Sequence, residues 1–283
     1  MTRTPDGLPA LRDVIRAHGL TAHKGLGQNF ILDFNLTRRI ARCAGPLVSI
    51  CVVEIGAGPG GLTRALFLEG AARVVAVERD QRCLSILGEI AEHYPGRLDI
   101  VCGDALELDL AALAPSPSRI VANLPYGSAT ELLARWLTTE PWPPWYDKMV
   151  LMFQREVAER LVSPPNRKSY GRLSVLAQWR STPRVLFTLS PRAFTPAPKV
   201  ESALVELVPT PEPEPAGSCA VLQTVVAAAF GQRRKMLRKS LSSVFQDTEN
   251  TLKKVDIDPS LRAEALTVSQ FCALARLFHE NNS

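Results

Sequence analysis

The stretch Asn123-Leu124-Pro125-Tyr126 places an amide, a carbonyl followed by a residue with no N–H, and an aromatic ring side by side. Methylating an exocyclic amine of a base by in-line displacement requires countering the delocalisation of the nitrogen lone pair into the ring. Two acceptors on the N–H bonds do this by holding the nitrogen towards tetrahedral geometry. The Asn123 side-chain oxygen and the Leu124 carbonyl, freed by the proline, supply two such acceptors. Tyr126 can stack on the base, and its ring tolerates the positive charge that develops. The structural alternative is a plain N-x-P-Y turn, which weakens once the four residues follow a strand of a parallel sheet.

Three further features have chemistry. The turn Gly56-Ala57-Gly58-Pro59-Gly60-Gly61 lets the backbone approach a ligand closely, and Glu78, 22 residues after Gly56, is placed to accept from both hydroxyls of a ribose. Asp104 adds an acceptor for an adenine amino group. On these residues alone a nicotinamide cofactor and a methyl donor are equally served, and helix capping is the plain alternative for each acid. Asn123 to Tyr126 tips the balance towards a methyl donor.

All four features need the same scaffold. Short apolar runs at Ile50–Glu54, Arg73–Val77, Leu98–Val101, Ile120–Ala122 and Met149–Phe153 read as strands, with helices at Leu62–Leu68 and Leu84–Ile90 between them. Alternation of this kind predicts a parallel α/β sheet covered on both faces. Ligands bind such sheets at the carboxyl ends of the strands, where the four features fall. A later strand, Ala203–Val208, closes at Pro209. Prolines at 209, 211, 213 and 215 then form a spacer, which predicts a first domain over 1–211 and a helical domain over 212–283. Helices are expected at Ser218–Phe230, at Arg233–Phe245, from Asp258-Pro259, and after the capping box Thr267–Gln270.

The chain has 283 residues, 46% hydrophobic and 22% charged, with a net charge of +5, which suits a globular enzyme and excludes a disordered or staple-dependent one. Charge is unevenly spread: residues 1–42 carry +4, 43–147 carry −6, 148–192 carry +7 and 193–283 balance. An acidic block between basic ones suits a small cationic ligand at the centre and a polyanion at the rim. The six cysteines form no C-x-x-C pair and the four histidines have no metal-ligand spacing, so a reduced, cytoplasmic setting without metal is expected. Met1–Ala10 lacks the apolar core of a leader. The uncharged run Pro215–Gln232 is too short in its apolar part for the roughly 20 residues of a spanning helix, so no membrane is expected.

Six motifs in order, Gly25-Leu26-Gly27-Gln28-Asn29-Phe30, Glu54-Ile55-Gly56-Ala57-Gly58 with Glu78, Gly103-Asp104, Asn123-Leu124-Pro125-Tyr126, Phe194-Thr195-Pro196-Ala197-Pro198-Lys199-Val200 and Arg233-Arg234-Lys235, resemble the KsgA-type ribosomal RNA adenine dimethyltransferases over about residues 20 to 278. The resemblance implies a Rossmann-like class I methyltransferase with a mostly parallel central sheet and a small C-terminal helical domain. It implies S-adenosylmethionine as donor. Its implied acceptors are two adjacent adenines near the 3′ end of 16S ribosomal RNA, each dimethylated on N6, in the 30S subunit or its precursor, with a role in 30S biogenesis and a monomeric chain.

By position, Asn29, Ile31, Gly56, Glu78, Asp104 and Asn123 would contact the donor. Asn123, Leu124 and Tyr126 would hold the target amine, and Phe194 would stack on the other face of the base. Arg233, Arg234, Lys235 and Arg238, with Arg155 and Arg172 of the +7 block, would meet RNA phosphates. A solvated helix face is the plain alternative for the tail cluster. The sequence departs from relatives at Gly127-Ser128-Ala129, where an asparagine and an isoleucine more often follow the tyrosine. Within the class, the erythromycin-resistance type, acting on large-subunit RNA, is the rival. Outside it, the rival is a non-catalytic RNA-binding factor on a degenerate methyltransferase fold, and the retention of Glu78, Asp104 and Asn123 argues against decay.

Overall fold

The computed structural model describes residues 4–281. Its strands are β1 (Phe30–Ile31), β2 (Cys51–Ile55), β3 (Arg73–Glu78), β4 (Leu98–Cys102), β5 (Ser118–Ala122), β6 (Tyr146–Gln154), β7 (Ser181–Leu189), β8 (Phe194–Thr195) and β9 (Ser202–Pro209). Seven form one sheet in the order β4-β3-β2-β5-β6-β9-β7, and β1 pairs with β8 separately. The pairs β4-β3, β3-β2, β2-β5 and β5-β6 are parallel and β6-β9 is antiparallel. The expected mostly parallel α/β sheet is therefore present.

Composition explains the central strands. β2 is buried at all five positions and β3 at all but its first. Such strands need apolar, β-branched side chains on both faces, and Val52, Val53, Val74, Val75 and Val77 supply them. The chain runs outward from β2 to β3 and β4 on one side, then returns to place β5 on the other. That reversal opens a crevice at the carboxyl ends of β2 and β5.

The chain divides into two compact units. The first, holding the sheet, comprises 1–136, 144–158 and 184–208; the second comprises 137–143, 159–183 and 209–283. The helical tail thus sits in one unit with two segments from the middle of the chain, while the proline spacer opens the last of its three segments. Helices Cys219–Gly231 and Val268–Glu280 lie where expected, and the second has its capping box: Gln270 N–H donates to Thr267 Oγ1 (3.2 Å) and Thr267 N–H to Gln270 Oε1 (3.0 Å). Among the described residues no helix is long and apolar enough to cross a membrane.

Two expected helices are corrected. The helix Arg233–Phe245 shrinks to Leu237–Ser240, because the Leu237 and Arg238 N–H groups donate to the carbonyls of Leu261 and Pro259 instead of up a helix. No helix starts at Asp258, whose carboxylate accepts from Ser260 N–H (2.8 Å) and Ser260 Oγ (2.8 Å) and so holds a turn. A helix that was not expected, Thr248–Lys254, is capped by Asp247.

The glycine turn gives a paired prediction. Gly60 has φ +79°, and a Cβ there would lie 2.2 Å from Ile90 Cδ1, whereas a Cβ at the helical Gly88 meets nothing within 4 Å. Gly60→Ala should lower the unfolding free energy by about 2 kcal/mol, and Gly88→Ala should raise it by about 0.5–1 kcal/mol. Urea titration checks both; equal midpoints in the two variants would contradict this account of the turn.

Candidate active site

A cavity of about 500 Å³ in the first unit opens at the carboxyl ends of β2, β3, β4 and β5. Its floor is the glycine turn. Gly56 (φ +71°) donates its N–H to the Val77 carbonyl (2.8 Å), so the turn is pinned to the end of β3. The Pro125 ring lies beside Gly27 and Gly56, where a Cβ would stand 3.4 Å and 3.7 Å from it.

Glu78 is buried with both oxygens engaged, Oε2 by Gly58 N–H (2.6 Å) and Oε1 by Asp80 N–H (2.8 Å). A carboxylate offers about four lone-pair sites, so two remain for hydroxyl donors. Burial pushes its carboxyl above the ordinary range against the pull of the backbone N–H groups of Asp80, Gly58 and Arg79. Asp104 accepts from Leu106 N–H (3.0 Å) and pairs with Arg79 Nη1 at 3.1 Å. Arg79 therefore stands beside the expected adenine acceptor.

The loop after β5 is fixed from the N-terminal side. Asn123 Nδ2 donates to the Asn29 carbonyl (3.0 Å), and Asn29 Nδ2 donates to the Gly27 carbonyl (3.1 Å). With its amide nitrogen so committed, Asn123 has its Oδ1 as the acceptor left over. Leu124 is buried, and Pro125 has no N–H to compete for nearby carbonyls. The Tyr126 hydroxyl bonds Ser202 Oγ at the start of β9, and burial pushes the phenol pKa up. The departure at Gly127-Ser128-Ala129 begins the helix Ala129–Leu137, with Ser128 N–H donating to the Pro125 carbonyl (3.1 Å) and the Ser128 carbonyl accepting from Leu132 (2.9 Å).

The cavity thus brings together Asn29, Ile31, Gly56, Glu78, Asp104, Asn123, Leu124 and Tyr126. Phe194 is a correction: it does not line the cavity. Its strand β8 pairs with β1, Phe194 opposite Ile31, and the ring is 4% exposed within the core that holds Ile31 and Leu204.

The cationic residues differ among themselves. In the first unit Arg155 pairs with Glu201 (2.7 Å). In the second, Arg172 is exposed at the first position of the helix Arg172–Arg180. Arg233 pairs with Glu264 (3.1 Å) and donates to the Lys168 and Tyr170 carbonyls, and Arg238 lies 3.8 Å from Glu249. Arg234 and Lys235 are exposed in the turn that precedes Leu237. Arg233, Arg234 and Lys235 thus lie in the turn and Arg238 in the short helix Leu237–Ser240, so these charges do not share a helix face.

Several residues at the cavity are not marked individually by the sequence patterns. Gln28 receives His23 N–H (2.8 Å) on its oxygen and donates to Asp80 Oδ2 (2.7 Å). Arg82 first and then Gln28 draw the Asp80 carboxyl down to about 2. Glu54, buried and lining the cavity, accepts from Thr63 Oγ1 (2.6 Å), yet burial pushes its carboxyl up to about 8. An acid inside an apolar strand run was the available signal for Glu54. Nothing local marks Ser202.

The chain matches the family model for ribosomal RNA adenine dimethylase over residues 19–280. It is 57% identical over 279 residues to the ribosomal RNA small subunit methyltransferase A of Xanthobacter autotrophicus, covering 98% of this chain and 96% of that protein. To the protein of that name from Rhodopseudomonas palustris strain TIE-1 it is 60% identical over 271 residues, 95% of this chain and 94% of the relative. A dimethyladenosine transferase from Plasmodium falciparum superposes with TM-score 0.76 at 22% identity, covering 88% of this chain and 96% of that one. The 23S rRNA methyltransferase ErmE superposes with TM-score 0.66 at 24% identity, covering 88% and 98%. At these identities the two structures establish a shared fold.

Glu54 carries a pH prediction. Its folded carboxyl lies near 8 against an ordinary value of 4.5, so between those values the folded state holds a proton that the unfolded chain has released. Its contribution to stability is full below about pH 4.5 and is lost as pH rises towards 8, at no more than about 1.4 kcal/mol per pH unit. Urea titrations from pH 5 to 8 should show the wild type losing stability relative to Glu54→Gln. Parallel curves would contradict it.

Proposed function

We propose, starting from the fact that this chain belongs to the ribosomal RNA adenine dimethylase family, that its acceptors are two adjacent adenines near the 3′ end of 16S ribosomal RNA. The enzyme is an S-adenosylmethionine-dependent ribosomal RNA adenine dimethyltransferase. The cavity suits that donor. Glycines 56, 58 and 61 line the floor without side chains, Glu78 retains lone pairs for a hydroxyl pair, and Asp104 accepts at the next strand end. A volume near 500 Å³ is within the usual range for a site of this size. When bound, the donor supplies an electrophilic methyl group on a positively charged sulfur.

The observation that carries the reading is the orientation of Asn123, whose Nδ2 is spent on the Asn29 carbonyl. Its Oδ1 and the Leu124 carbonyl accept from the two N–H bonds of the adenine amine. That holds the nitrogen lone pair out of conjugation and turned towards the donor. Tyr126 stacks on the base, its hydroxyl anchored by Ser202. Each transfer forms the nitrogen–methyl bond as the methyl–sulfur bond breaks, with S-adenosylhomocysteine leaving and one proton lost from the nitrogen; after the first, a single N–H remains, and the new methyl group meets the apolar ring face of Tyr126, where burial is worth about 0.8 kcal/mol. That gain offsets part of the lost hydrogen bond, so the second transfer follows.

A base must leave any stack to enter such a pocket, which costs least in a single-stranded or loop region. Arg172, Arg234 and Lys235 are exposed and meet phosphates directly. Arg155, Arg233 and Arg238 exchange their carboxylate partners for phosphate or keep them as structural pairs. We place the chain in the cytoplasm as a monomer acting on the 30S subunit or its precursor, in a step of small-subunit biogenesis.

Labelled donor offered with separated under-methylated 30S and 50S particles tests this. Label should enter the 30S RNA and end as N6,N6-dimethyladenosine, with the monomethyl species transient. Label in the 50S RNA, or a plateau at monomethyladenosine, would contradict it.

A further inference from the structure

Arg64 lies in the helix Gly61–Leu68, directly behind the glycine turn, and its side chain is 2% exposed. A guanidinium so buried is tolerable only with its charge and donors matched. Every matching group comes from the first residues described. Nε donates to Asp6 Oδ2 (2.7 Å) and Nη2 to Asp6 Oδ1 (2.8 Å), a bidentate fork onto a carboxylate with no exposure. Nη1 donates to the Pro9 carbonyl (2.9 Å), and Nη2 also bonds Thr4 Oγ1. Asp6 accepts in addition from Leu8 N–H (3.2 Å) and from the Thr4 hydroxyl, and the His93 ring lies 2.8 Å from its carbonyl.

The segment held this way leads straight into Leu11, the first residue of the helix Leu11–Ala17 and a lining residue of the donor cavity. Leu11 presses on the start of the Arg64 helix so closely that a Cβ on Gly61 would lie 2.7 Å from Leu11 Cδ2. One helix therefore carries both the end of the glycine turn and the anchor of the opposing wall.

We infer that Asp6 and Arg64 are positioning residues for the methyl donor: their buried pair fastens the segment Thr4–Leu11 and so sets the Leu11 wall of the donor cavity. This rests on the reading that the cavity takes S-adenosylmethionine. Removing the Asp6 charge leaves Arg64 buried without its counter-ion, and the segment must move for Arg64 to reach water. Leu11 moves with it. The chemistry at Asn123 lies on another loop and is untouched.

The full chain is tested as wild type, Asp6→Asn, Asp6→Glu and Leu11→Ala. Donor affinity is read by calorimetry with S-adenosylmethionine and S-adenosylhomocysteine, folding by circular dichroism, and turnover on under-methylated 30S particles at varied donor. Asp6→Asn and Leu11→Ala should bind donor about tenfold more weakly. In Asp6→Asn the loss should fall on the donor KM rather than on kcat, and Asp6→Glu should recover part of it. A folded Asp6→Asn with donor affinity within about twofold of wild type would overturn the inference and leave the pair a staple for folding alone. If Asp6→Asn does not fold, Leu11→Ala decides, and unchanged affinity there overturns it. A wild-type chain that binds neither ligand overturns the reading of the cavity itself.

Discussion

The hydrogen bond from Asn123 Nδ2 to the Asn29 carbonyl joins two loops that are 94 residues apart in sequence. It fixes which end of the Asn123 amide is free, and the proposed chemistry depends on that choice. An amide turned the other way would offer N–H groups to an amine that itself donates. The bond survives only if both loops stay in place, and the surrounding structure holds each one. Asn29 is steadied through Gly27, and the Pro125 ring rests against Gly27 and Gly56. Gln28 ties the same N-terminal loop to Asp80, whose N–H holds Glu78. The proposed donor and acceptor contacts are therefore parts of one hydrogen-bonded assembly at the carboxyl edge of the sheet.

The electrostatics of that edge follow from burial. Glu54 and Glu78 both line the cavity, and burial raises both carboxyl pKa values. Acids of this kind favour an incoming positive charge, since a cation nearby restores their ionised form. The donor's sulfonium is such a cation. The −6 charge of residues 43–147 suits that cationic ligand.

What could be read from the sequence were elements defined by local pattern. Apolar runs of Val and Ile gave the strands, and the residues that end them, Gly56, Glu78, Asp104 and Asn123, line one cavity because parallel strands share a carboxyl edge. What could not be read depended on partners distant in sequence. Phe194 looks free to stack until β8 pairs with β1 and buries it. Arg233 looks like one more charge in a basic run, yet Glu264 and two carbonyls from the 168–170 segment hold it. The helix expected at Arg233–Phe245 fails for the same reason, since the loop at 259–261 captures its N–H groups. Ser202 has no local signature, because its role is defined by Tyr126 alone.

In the proposed reaction the fixed Asn123 oxygen acts on the amine during transfer. Single-turnover methylation of under-methylated 30S particles by Asn123→Ala tests it most directly. A rate about a hundredfold below wild type is expected, with particle binding retained. A variant that keeps more than about half the wild-type rate, where a lost preorganised acceptor should cost far more, would contradict it.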